Sequence, residues 1–190
     1  MLLMLTLACL SGDEPPPIEP APTAKDPARV TAEALALAKG SEALDQVAST
    51  FSNRLHEASA TDGLPGAIKV CSEEAQGMTA LLSADTGARV GRSSLKLRNP
   101  ANAGPPWVQD YLAAQEGKVA VDVSGVSEVH EDTARVARPI AIVPKCLACH
   151  GEHVDPAVQP LLTERYPEDK AVGYREGELR GVIWAEVPIL

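Results

Sequence analysis

Aromatic rings are scarce in this sequence. Six of its 190 residues carry one, 3% of the chain: Phe51, Trp107, Tyr111, Tyr166, Tyr174 and Trp184. A core so poor in rings must be built from Ala, Val, Leu and Ile, or be completed by a body that is not protein. Cysteine is sparse too. Four of them are too few for a disulfide scaffold at this length. No basic block occurs, and 26 acidic residues against 17 basic give a formal charge of −9. That balance argues against nucleic acid or an anionic membrane surface as a partner. No apolar run reaches the roughly 20 residues that a membrane-crossing helix needs. What is present is ordinary for a globular domain: a 45% hydrophobic fraction, which excludes wholesale disorder, and a length suited to one domain with a tail.

Three regions separate by composition. Residues 1–9 end an apolar stretch too short to span a bilayer, and they read as an export signal. Leu5-Thr6-Leu7-Ala8-Cys9 resembles a bacterial lipoprotein signal, so Cys9 is the expected lipidation site and the only expected link to a membrane. Residues 10–27 carry Pro15, Pro16, Pro17, Pro20, Pro22 and Pro27, a stiff extended tether. Residues 28–190 form the expected domain.

Within that domain Val30, Ala34, Leu37, Leu44, Val47, Phe51, Leu55 and Ala58 recur at steps of three and four, the stripe of a long amphipathic helix. Thr61-Asp62-Gly63 should break it. A second helix is expected from about Leu64, with Pro65 in its first turn and Ile68, Cys71, Ala75, Met78 and Leu82 facing inward. Strands are expected around Ala88-Arg89-Val90, over 119–123 (where Val119, Val121 and Val123 alternate with smaller or polar residues), over 135–143 and over 182–187. Short helices are expected over 106–115 and 155–164, and 99–106 reads as turn. Helices first and strands afterwards point to an α+β domain with an antiparallel sheet.

One motif carries chemistry. Cys146-Leu147-Ala148-Cys149-His150 has the form of a c-type haem attachment sequence. Two thiols three positions apart can each add to one porphyrin vinyl group, and the adjoining imidazole can then bind the iron. This composition would produce only about 0.002 such matches by chance. A zinc site would want a second pair of ligands at suitable spacing, and His153 is the only near candidate. A thioredoxin-type pair would open a helix after a strand, which is not this context. Covalent haem and an export signal support each other, because c-type haem is attached outside the cytoplasm.

A second iron ligand must come from elsewhere in the chain. Cys71 and Met78 are both on the inward stripe, and the pattern alone does not choose between them. His56 and His130 stand among charged neighbours, and His153 is too near His150 to reach the opposite ring face easily.

Several further blocks carry a resemblance. They are Arg92-Ser93-Ser94-Leu95-Lys96-Leu97-Arg98-Asn99-Pro100-Ala101-Asn102, Arg138-Pro139-Ile140, and Tyr166-Pro167-Glu168-Asp169-Lys170-Ala171-Val172-Gly173-Tyr174. With Gly177-Glu178-Leu179-Arg180-Gly181-Val182 and the cysteine motif, they run in order over about residues 28–190. Together they resemble a bacterial family of exported haem c domains with a PAS-like fold. The resemblance implies a PAS-like antiparallel sheet preceded by two N-terminal helices, with one haem held at the sheet edge. It also implies an axial pair of the motif histidine and a cysteine, and Ile68-Lys69-Val70-Cys71 fits the position of that cysteine. Arg92, Lys96, Arg98 and Arg138 are the basic residues placed by these motifs to offset the haem propionates.

The expected function is a redox or diatomic-gas sensor, responsive to CO or NO and reporting to an unidentified redox or signalling protein. A thiolate donated by Cys71 would stabilise Fe(III) and keep the reduction potential low. The competing expectation is a small electron-transfer cytochrome, which a His/Met pair would suit better. Peroxidase-like catalysis would require acid–base groups around an open position, and nothing points to them. No kinase, cyclase or methyl-accepting module follows the domain, so direct fusion to an output module is not expected.

Overall fold

The computed structural model describes residues 26–190; Cys9, the export signal and nearly all of the tether lie outside them. Helix α1, Pro27–Lys69, begins at a conventional start: the Asp26 carboxylate accepts from the Ala28 amide at 3.0 Å, and Pro27 takes the first helical position. At Gly63 the backbone leaves helical geometry (φ 67°, ψ −159°), with Pro65 two residues on, and the rod kinks. The expected break is therefore real, but the chain resumes as helix at once. Beyond Lys69 the hydrogen-bond ladder widens into a π-helical turn, Val70–Glu74, before α2, Ala75–Thr86, which stops at Gly87 in the left-handed region.

The rest of the chain supplies β1 (Arg89–Ser93), α3 (Pro106–Ala113), β2 (Val126–His130), β3 (Thr133–Ala141), α4 (Leu147–His150), α5 (Gln159–Arg165) and β4 (Leu179–Pro188). The four strands form one sheet in the order β1-β4-β3-β2, every pair antiparallel. The α+β architecture expected from the sequence is the one found.

Both sheet faces are covered. Leu44, Val47 and Phe51 of α1 pack on Val90, Val136, Ile183, Ala185 and Val187, which alternate inward along their strands. On the other face Val108 and Leu112 of α3 close over Ala137, Val182 and Trp184. The long connection between β3 and β4, residues 142–178, folds over one end of the sheet and carries α4 and α5.

One expected strand is absent. Val119–Val123 is a short 3-10 turn centred on Ala120–Asp122, with Val121 89% exposed and a single bridge from Val119 to Glu178. The strand nearby is β2, an edge strand with only Val126 and Val129 partly buried. Valines three apart break the two-residue alternation, so β2 is silent in the sequence, while of the alternating valines before it Val119 and Val121 are exposed and only Val123 is buried.

Leu44 is fully buried at the centre of the main core. Leu44→Ala is expected to lower the unfolding free energy by about 2–5 kcal/mol. Urea unfolding should show a lower midpoint with an unchanged slope.

Candidate functional site

Between α1, the inner sheet face and the β3–β4 connection lies a cavity of about 460 Å³, within the usual range for cofactor sites. Val47, Phe51 and Leu55 form one wall, successive i, i+4 positions on α1, and Ile140 and Ile183 form the sheet side. Cys71, Cys146 and His150 all open onto this apolar space.

Cys71 reaches the cavity from the π-helical turn. A π turn inserts a residue into the helical ladder and rotates whatever follows, and such turns concentrate at functional sites. Burial pushes the Cys71 thiol pKa up, while the positive charges of Arg92, Arg98 and Arg180 pull it down. The thiol is thus screened from water and surrounded by cations that favour its ionised form.

His150 ends α4, and Gly151 follows at its C-cap. Its Nδ1 lies 2.7 Å from the Ala171 carbonyl oxygen. A carbonyl can only accept, so Nδ1 carries the proton and Nε2 keeps its lone pair. That is the arrangement found behind metal-binding histidines. Burial above all, with the charges of Arg180 and Arg98, pushes the imidazole pKa down to about 3, so the ring is neutral. The Tyr174 ring meets it edge-on, centroids 6.4 Å apart.

The motif is held from behind by Arg98. Its Nε donates to Asp169 Oδ2 at 2.9 Å, and its Nη2 donates to the carbonyls of Cys149 and Ala171. Asp169 Oδ1 in turn accepts from the Ala171 amide at 2.7 Å. The Arg98 side chain is buried, at 8% exposure, and that of Asp169 is nearly so, at 11%.

The structure gathers most of the residues singled out from the sequence, though not all in the expected role. Cys146, His150, Cys71, Arg92, Arg98 and Arg138 line the one cavity. Cys149, half-buried, packs in the adjoining cluster of Ile68, Val158, Leu162 and Tyr166. Met78, the alternative ligand, is a correction: it packs against the main core and does not line the cavity. Unbranched and adaptable, it fills core space there. His56, His130 and His153 are exposed.

Arg98 and Arg138 each already have a carboxylate, Asp169 for the first and Asp45, at 2.7 Å, for the second. Arg180 went unrecognised as a site residue, yet it lines the cavity as well. Among the described residues no three His, Cys, Asp or Glu side chains stand close enough to hold a metal ion between them. That disfavours a zinc site, which takes four such ligands.

Fold and site together define a single-sheet α+β domain with a cofactor-sized pocket between α1 and the sheet. A family model described as Tll0287-like matches residues 25–188, and the chain belongs to the Tll0287-like family. The crystal structure of the cyanobacterial heme-protein Tll0287 superimposes with a TM-score of 0.59, covering 87% of this chain and 98% of that one. At 23% identity the likeness is one of fold. No curated protein sequence matches.

Asp169→Ala would leave the Arg98 guanidinium buried without its counter-charge. The expected loss of stability is about 3–5 kcal/mol, measured as a fall in the urea midpoint, with Arg138→Ala close to neutral because its ion pair is exposed.

Proposed function

We propose that this chain holds one haem c and serves as an exported redox or diatomic-gas sensor rather than an enzyme. Cys146 and Cys149 would carry the two thioethers, His150 would bind the iron through Nε2, and Cys71 would supply the second ligand. One observation carries the reading: Cys71, Cys146 and His150 open onto a single cavity, and the Ala171 carbonyl fixes the His150 tautomer with Nε2 free. A porphyrin brings four nitrogens of its own, so two protein ligands suffice. The description of the family's solved member as a heme-protein points the same way.

When bound, the group supplies one-electron exchange between Fe(III) and Fe(II). The chain's own contributions are separable. Ala171 and Tyr174 hold the imidazole plane, while Val47, Phe51 and Ile183 keep water from the pocket. Burial raises the Cys71 thiol pKa and Arg92, Arg98 and Arg180 partly offset that rise; bound as thiolate, Cys71 would donate charge that stabilises the ferric state. A sensor gains from a ligand whose hold differs between oxidation states, and thiolate is such a ligand. Met78 packs against the main core, which weighs against the His/Met pair that an electron shuttle would prefer.

Localisation and partner follow from the chemistry. Covalent haem attachment calls for export, consistent with the apolar start of the sequence and with Cys9 as a lipid acceptor. No helix among the described residues is long and apolar enough to cross a membrane. The output is to a separate redox or signalling protein.

Two measurements test this. Produced in a host that matures cytochromes c, the protein should have the mass of its chain plus one haem and keep its colour through acid–acetone extraction. Cys146→Ala combined with Cys149→Ala should lose the colour in that step. Cys71→Ala should change the ferric absorption spectrum and raise the reduction potential, whereas Met78→Ala should leave both unchanged. A Cys71→Ala spectrum identical to wild type would eliminate the thiolate ligand and the sensor mechanism with it.

A further inference from the structure

We propose that Arg92 and Arg180, rather than Arg98 and Arg138, anchor the two carboxylates of the cofactor. The assignment rests on the haem reading above and sharpens it. All four guanidinium groups line the cavity, but two are already neutralised: Arg98 by Asp169 and Arg138 by Asp45. Among the described residues no carboxylate pairs with Arg92 or Arg180.

Arg92 lies with its guanidinium carbon 3.9 Å from the Phe51 ring centroid, and its Nε is buried without any hydrogen-bond partner. Arg180 sits over the Tyr174 ring and donates to the Lys96 carbonyl at 3.3 Å. Rings and carbonyls orient a cation but do not cancel its charge. Burial pushes both guanidinium groups below their usual pKa range, and the charge of Arg180 depresses Arg92 further. Both are half-buried, and Asp169, already bonded to Arg98, reaches Arg180 only through space; cations in such a place without a direct counter-ion are unfavourable. A ligand with two carboxylates would neutralise both, and the planar fork of arginine suits a carboxylate.

The backbone adds a second, independent argument. Along β3 and β4, Ile140 pairs with Gly181 but Ala141 pairs with Leu179, which leaves Arg180 as an extra residue in β4. Regular alternation would place Arg180 with Val182 and Trp184, on the face packed against α3. The bulge turns it into the cavity instead, and re-aiming a side chain is what bulges beside sites do. The next residue, Gly181, holds φ at 152°, and a Cβ there would stand 2.1 Å from the Ser93 carbonyl oxygen. Only glycine permits this path. Arg92 comes from the neighbouring strand, where it faces Ile183 in the register. The two anchors thus come from the neighbouring strands β1 and β4 and both open onto the cavity, so the carboxylate edge of the cofactor would face those strands.

Resonance Raman spectroscopy of the holoprotein tests this, because the propionate bending band reports hydrogen bonding to the cofactor carboxylates. In Arg92→Met and in Arg180→Met the band should move toward that of a solvated propionate. The reduction potential should fall as well, since losing a nearby cation favours the ferric state. Arg138→Met should leave the band in place. If the methionine variants do not accumulate, Arg92→Lys and Arg180→Lys keep the charge but lose the fork, and the band should still move. A band unmoved by every change at Arg92 and Arg180, or moved by Arg138→Met alone, overturns the assignment. A colourless mature protein would defeat the haem reading instead, so the two failures are distinguishable.

Discussion

The buried ion pair between Arg98 and Asp169 is the contact on which the geometry of the site depends. Arg98 belongs to the segment after β1, Asp169 to the long β3–β4 connection, and the pair lies against the cysteine motif. Through its guanidinium Arg98 grips the carbonyls of Cys149 and Ala171, while Asp169 fixes the Ala171 amide. Ala171 therefore has both backbone polar groups defined, and its carbonyl also receives the His150 Nδ1 proton. The histidine tautomer is the last link in a chain that starts with one charge pair. Such a pair adds little net stability over an apolar replacement, but removing one partner is expensive. Its value here is positional, since it specifies a single arrangement of the motif loop.

Two backbone irregularities serve the same cavity. The π turn at Val70–Glu74 carries Cys71, and the β4 bulge carries Arg180. Each interrupts an otherwise regular element at the one place where a polar side chain has to face inward. Regular periodicity commits a whole face to one environment, apolar inside and polar outside. A polar group can be brought to the inside of such an element only by breaking the repeat beside it. The cost is local, a poorer hydrogen-bond ladder over a few residues, and it falls where the surrounding core is most able to hold the distortion.

The same logic separates what was legible in the sequence from what was not. The α1 stripe from Leu44 to Phe51, the interruption at Gly63 and the cysteine motif are local signals and appear in the fold close to where they were read, whereas Val30 and Ala34 at the start of the expected stripe are exposed. Cys71 and Met78 were inseparable because a straight helix puts both on one stripe. The π turn between them sends one to the cavity and leaves the other in the core. Arg180 was overlooked as a site residue because strand alternation assigns it to the opposite face, and a bulge is defined by its partner strand. The strand expected over 119–123 had the right alternation but lacked a neighbour to pair with, whereas β2 had the neighbour without the alternation. Pairing decided both outcomes, and pairing is not written in either segment alone.

Charge shows a further limit of composition. A net charge of −9 weighs against nucleic acid and anionic membranes in the sequence reading, because those partners respond to an extended surface field. A small anion held in a cavity responds to something else: a few guanidinium groups at hydrogen-bonding distance, in a medium where screening by salt is weak. Arg92, Arg98, Arg138 and Arg180 together hold about a quarter of the chain's basic residues around one pocket. The sum over the molecule is acidic, yet the field inside the pocket is positive. It draws down the His150 pKa and opposes the effect of burial on the Cys71 thiol. The two iron-ligand candidates are therefore acted on by the same cluster, which favours a neutral imidazole and partly offsets the burial that raises the Cys71 pKa. Both effects are set by arginines that the overall charge conceals.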